Sequence, residues 1–139
     1  MNLPLTSQVC SLPISQEIDR LHKERGIEFE SHFWWVKDMF SGTYTLENWK
    51  NQYAKGCEPE NAYIPTFSVS ELGMLLPAMI KDEHFLSQKS GRWQVSYEPI
   101  PPVKEHHRYC LHFEISDTEA DARGFMYLYL LKNNLITNT

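Results

Sequence analysis

No stretch of this sequence is a continuous apolar run approaching the roughly 18 residues that carry a helix across a bilayer. The N-terminal "MNLPLTSQVCSLPIS" lacks both a basic leader and an unbroken apolar segment, so it does not read as a secretory signal. Basic clusters are absent too. The net charge is −5, and both halves are acidic: residues 1–65 carry 6 Lys and Arg against 9 Asp and Glu, and residues 66–139 carry 7 against 9. Non-specific binding to nucleic acid or to an anionic membrane needs clustered cations and is disfavoured. Cysteine is scarce: Cys10, Cys57 and Cys110 form an odd, widely spaced set with no C-x-x-C pair. That usage fits free thiols in a reducing compartment, so a cytoplasmic location is expected. No P-loop, dinucleotide fingerprint, G-x-S-x-G or H-E-x-x-H occurs, and no cofactor is expected.

What is present is a chain of 139 residues, 42% hydrophobic, with an aromatic share of 13%. That length supports a single domain that needs neither metal nor disulfide to hold it together. It could subdivide into an N-terminal helix and hairpin (1–58) and a helix–three strands–helix core (64–139). In the first part, Ile14, Ile18 and Leu21 recur at helical spacing, with Ser15 as the expected cap and Gly26 as the left-handed end. "ESHFWWVKD" is strand-like in composition. "TYTLENW" reads as its hairpin partner; the competing reading is a helix from Thr45 to Lys55. Residues 56–65 read as a connecting loop.

From residue 68 the signals sharpen. Ser68 and Glu71 have capping-box spacing, with Phe67 and Leu72 at the staple positions. Pro77 closes that helix. "HFLSQK" and "RWQVSYE" are strand candidates, and the second alternates Trp93, Val95 and Tyr97 against Arg92, Gln94, Ser96 and Glu98. "EHHRYCLHFE" (105–114) alternates as well. Tyr109, Leu111, Phe113 and Ile115 are expected on the core side, with His106, Arg108, Cys110, His112 and Glu114 on the wet side. A last helix begins at Thr118, with acids in its first turn. "GFMYLYLL" is apolar nearly all round, which predicts burial on several sides. The expected fold is α+β: an antiparallel sheet of three or more strands with helices on one face, plus an N-terminal helix and hairpin.

Three segments, "IPTFSVSELGMLLP" (64–77), "WQVSY" (93–97) and "TEADARGFMYLYLLKNNLI" (118–136), resemble a family of small proteins encoded by bacteriophages and mobile elements of gut Bacteroidetes. The resemblance spans roughly half the chain. Gly124 and Phe125 depart from the small-then-lysine pair expected after "ADAR". It implies a shared fold and a phage or mobile-element origin. It implies no activity, because these motifs read as caps and core positions.

Candidate sites are few. On a strand, same-face neighbours are about 6.6 Å apart, so His106 and Cys110 lie about 13 Å apart, and His106 and His112 about 20 Å. No single zinc spans that distance with bonds of about 2.0–2.3 Å. Only Cys110 and His112 remain as a weak metal or thiol candidate. Phe33, Trp34 and Trp35 place bulky rings on both faces of a strand, either as core or as a partner surface. "PIPPVK" (99–104) matches a P-x-x-P-x-K ligand pattern but reads as a rigid loop. The functional expectation is a non-enzymatic protein that binds another macromolecule, by protein contact or self-association. The alternatives are a nucleic-acid module with the topology of double-stranded RNA-binding domains, or the Cys110–His112 site. Acids where such RNA-binding domains carry lysines argue against the first alternative.

Overall fold

The computed structural model describes residues 4–38, 40–48, 63–99 and 112–136. After a short 3-10 turn at Leu5–Ser7 comes α1 (Leu12–Arg25), followed by β1 (Phe33–Lys37), β2 (Tyr44–Glu47) and β3 (Tyr63–Thr66). Next come α2 (Val69–Leu75), β4 (Met79–Ile80), β5 (Glu83–Ser90), β6 (Arg92–Pro99), β7 (His112–Ser116) and α3 (Glu119–Lys132). Two antiparallel sheets form, in the orders β2-β1-β3 and β4-β5-β6-β7. The fold is α+β with helices packed on the sheet, as the sequence predicts. Among the described residues no helix is long and apolar enough to cross a membrane.

The caps explain where the helices start and stop. α1 begins a turn earlier than its apolar spacing suggests: Ser11 precedes it and a proline occupies its first turn, where a missing N–H costs nothing. Ser15, expected as the cap, is instead buried within the helix, and its hydroxyl donates to Thr66 Oγ1 at 2.8 Å. Gly26 takes the left-handed conformation at φ 67°, and Ile27 N–H returns to the His22 carbonyl. α2 has the full capping box: Ser68 Oγ accepts from Glu71 N–H, and the Glu71 carboxylate accepts from Ser68 N–H. In α3, Thr118 Oγ1 accepts from Asp121 N–H at 3.1 Å. Asn134, at φ 55°, supplies a left-handed residue just past its end.

β1 and β2 pair as a hairpin, so the strand reading of "TYTLE" holds over the described residues. Part of the expected loop is a strand: β3 pairs along β1, with Trp35 opposite Ile64. Pro65 is tolerated there because β3 is an edge strand among the described residues, hydrogen-bonded on one side only.

One core joins these parts. Ile14, Ile18 and Leu21 of α1 share it with Phe67, Leu72, Val95, Tyr97, Met126, Leu130 and Leu131. α3 lies on β6 and β7 and also meets α1 and α2, while α1 packs on β3. The all-round apolar character of α3 thus has a structural reason, since its sides face the sheet and two helices. Where α3 meets the start of α1, Gly124 packs directly under the Cys10 and Ile14 side chains. A Cβ on Gly124 would lie 2.7 Å from Cys10 Sγ and 2.9 Å from Ile14 Cγ2.

Several polar groups in this interior are paired across elements. The Cys10 carbonyl accepts from Thr66 Oγ1 at 2.9 Å and from Trp35 Nε1 at 3.1 Å. Ser31 Oγ donates to the Thr66 carbonyl. These bonds tie the three-stranded sheet to the segment entering α1. Tyr97, fully buried, donates its hydroxyl to the Pro77 carbonyl at 2.8 Å.

Candidate functional site

The site is set by which way β7 faces. β6 turns Trp93, Val95 and Tyr97 inward, as its alternation predicts. The ladder then pairs Tyr97 with His112, Val95 with Glu114 and Trp93 with Ser116. Directly opposed residues of an antiparallel pair project to the same side. His112, Glu114 and Ser116 therefore face α3, while Phe113 and Ile115 point out, 51% and 41% exposed. This reverses the expected facing of the strand. A one-residue change of register exchanges the two faces of a strand, so register rather than hydropathy decided the outcome.

The inward polar residues are accommodated by partners. The His112 ring stacks on Tyr129, with centroids 3.6 Å apart and planes within 3°. Its Nε2 contacts the Glu114 carboxylate. Beside this pair, α1, β7 and α3 leave an open cleft of about 650 Å³. Ile14, Pro13, Phe125, Leu128 and Tyr129 give its apolar lining, and Glu17, Glu114, Asp121 and Lys132 its charged groups. Asp121 Oδ1 accepts from Ser11 N–H at 2.7 Å, clasping the start of α1. Burial raises the Asp121 carboxyl above its ordinary range, partly offset by its hydrogen bonds from Ser11. Glu17 is bridged by Arg20 at 2.6 Å and by Lys132 at 3.5 Å, and those cations hold its carboxyl below the usual range.

Of the expected Cys110–His112 pair, only His112 is among the described residues. His106, His107, Cys57 and Cys110 lie outside the described residues, as does most of the "PIPPVK" stretch. His112 is described, and its partners are Glu114 and Tyr129. No group of three metal-ligating side chains occurs among the described residues. Cys10 is a free, fully buried thiol that donates to the Ala120 carbonyl at 3.4 Å. Burial, with the Asp121 charge second, pushes this thiol far above its ordinary range and leaves it a poor nucleophile. Phe33, Trp34 and Trp35 are all half-buried. Trp35 is turned toward the body by its indole bond to Cys10, and Trp34 lies on the opposite face beside Pro65.

Sequence reasoning missed the cleft because its walls come from residues more than 90 positions apart. It also passed over His22, which is buried and shares a 2.7 Å hydrogen bond with the Tyr127 hydroxyl. The signal for His22 was its place beside Leu21, one turn on from Ile18 on the buried side of α1. No family model, curated protein or solved structure matches the chain.

Proposed function

We propose that this chain is a non-catalytic interaction protein that associates with a second copy of itself through the outer face of the four-stranded sheet. The observation that carries this reading is the outward row on β7. Phe113 and Ile115 are about half exposed although polar residues occupy the inner face of the same strand. Phe113 sits across from Ser96, itself flanked by Leu86, and Ile115 sits across from Gln94 and Gln88. The centre of this face carries apolar and uncharged polar side chains on a molecule of net charge −5. Two copies can meet there without opposing like charges. Acids at the start of α3 support protein contact over nucleic acid: Glu119 is engaged by Arg123 and Ser87, and Asp117 by Arg92. The resemblance to phage and mobile-element proteins suits an accessory role of this kind.

The area sets the strength. Eight residues at about 3.3 Å and three strand spacings of about 4.8 Å give a face of about 26 by 14 Å. That is short of the roughly 800 Å² per partner of a standard interface, so the association is expected to be weak. Light scattering across a concentration series should show a monomer–dimer equilibrium at micromolar or higher concentration, little affected by salt. Phe113→Ser combined with Ile115→Thr should hold the chain monomeric with an unchanged circular dichroism spectrum. A wild-type chain that stays monomeric throughout, or a folded double variant that still dimerises, would overturn the reading; Ile115→Thr alone serves if the double variant misfolds.

A further inference from the structure

We infer that the cleft between α1, β7 and α3 is a binding site for an organic cation, an ammonium or guanidinium group carried on an apolar stem. The cleft lies on the opposite side of β7 from the face proposed for self-association.

Three observations converge. The cleft volume of about 650 Å³ lies in the range of small-ligand sites. Its walls combine an apolar bed of Ile14, Phe125 and Leu128 with the stacked His112–Tyr129 pair. A strand that turns His112 and Glu114 inward while leaving Phe113 and Ile115 outside breaks the rule that apolar side chains take the core face. Such local violations concentrate at functional sites.

The charge on the walls then selects the ligand. Glu17 is already matched by Arg20 and Lys132. Glu114 and Asp121 have no lysine or arginine partner among the described residues; Glu114 meets only His112, and Asp121 meets Ser11. Both are partly buried, where a carboxylate loses hydration and a cation regains the lost interaction. An anion would face two carboxylates without a lysine or arginine partner among the described residues, and a neutral ligand would use only the apolar bed. A cation on an apolar stem uses both. The stem would lie along Ile14 and Leu128, with its charge toward Glu114 and Asp121.

Titration calorimetry and NMR shift mapping with matched probes test this directly. The probes are 2-phenylethylammonium, neutral 2-phenylethanol and 3-phenylpropionate, with N-acetylarginine N-methylamide standing for a side chain presented by a polypeptide. The ammonium should bind at least about tenfold more tightly than the alcohol, a difference of about 1.4 kcal/mol, with the carboxylate weaker still. The His112 and Tyr129 ring signals should move. Tighter binding of the arginine derivative would assign the cation to a partner polypeptide, and tighter binding of the free amine to a small molecule; either supports the site. Glu114→Gln and Asp121→Asn should each weaken cation binding several-fold, and Lys132→Gln should strengthen it. The inference is overturned by equal affinity for alcohol and ammonium, by preference for the carboxylate, or by no binding. It fails too if the folded variants bind the cation as the wild type does.

Discussion

At Gly124 the two helices approach so closely that no side chain fits without movement. Alanine there gains helix propensity of about 1 kcal/mol. It also forces a methyl onto the Cys10 sulfur and the Ile14 methyl, and such overpacking costs about 1–3 kcal/mol. Both neighbours are buried, so they cannot swing into solvent. Gly124→Ala should therefore destabilise the fold by about 1 kcal/mol net, read as a lower urea midpoint with unchanged slope. Adding Cys10→Ala should recover part of that loss, because it removes the nearest clashing atom. A double-mutant cycle would show the two changes to be coupled.

Among the elements, the β4–β5 hairpin carries visible strain. Lys81 and Asp82 form its two-residue turn with φ of 48° and 68°. That is the geometry that Asn-Gly satisfies with least cost. Replacing the pair by Lys81→Asn with Asp82→Gly should raise the unfolding free energy by about 0.5–1 kcal/mol, measured by urea titration. Elements with their own local chemistry were legible in the sequence. The Ser68–Glu71 box, the Thr118 cap, the Gly26 stop and the Trp93-Val95-Tyr97 face each depend on residues within a few positions, and all stand where the pattern puts them. β7 shows the limit of that reasoning. Alternation separates its two faces but does not say which one meets α3; the pairing of His112 with Tyr97 does, and pairing is not written in the strand itself. β3 was missed because four residues containing a proline resemble a loop until β1 is present to pair with them. The cleft could not be read because Ser11 and Asp121 become neighbours only when α1 and α3 cross.

For the whole molecule, acid stability turns on two buried groups of opposite sign. Burial holds His22 below its ordinary 6.5, with the Asp19 charge opposing. The unfolded chain then binds more protons, so this contribution is full above pH 6.5 and is lost as pH falls through the folded value. Asp121 is raised above its ordinary 3.8. Its contribution is full below 3.8 and is lost as pH rises through its folded value. On acidification from neutral, His22 weakens the fold first. The thermal midpoint should fall between about pH 7.5 and pH 5, across the histidine range. His22→Gln should flatten that slope while lowering the midpoint at neutral pH, because the packing against Phe67 and Tyr127 is disturbed. A slope unchanged in the variant would show that another group governs it. Asp121→Asn keeps an acceptor for Ser11 N–H without the buried charge, so it should raise the midpoint at neutral pH.

The closure of Gly124 over Cys10 has a kinetic consequence. This sulfur sits in the segment entering α1, held against Gly124 and the Ala120 carbonyl of α3. In a chain carrying Cys57→Ser and Cys110→Ser, an aromatic disulfide reagent can react only after that segment lifts from α3. Its rate of reaction would act as a clock for release of that segment, readable in native buffer without denaturant.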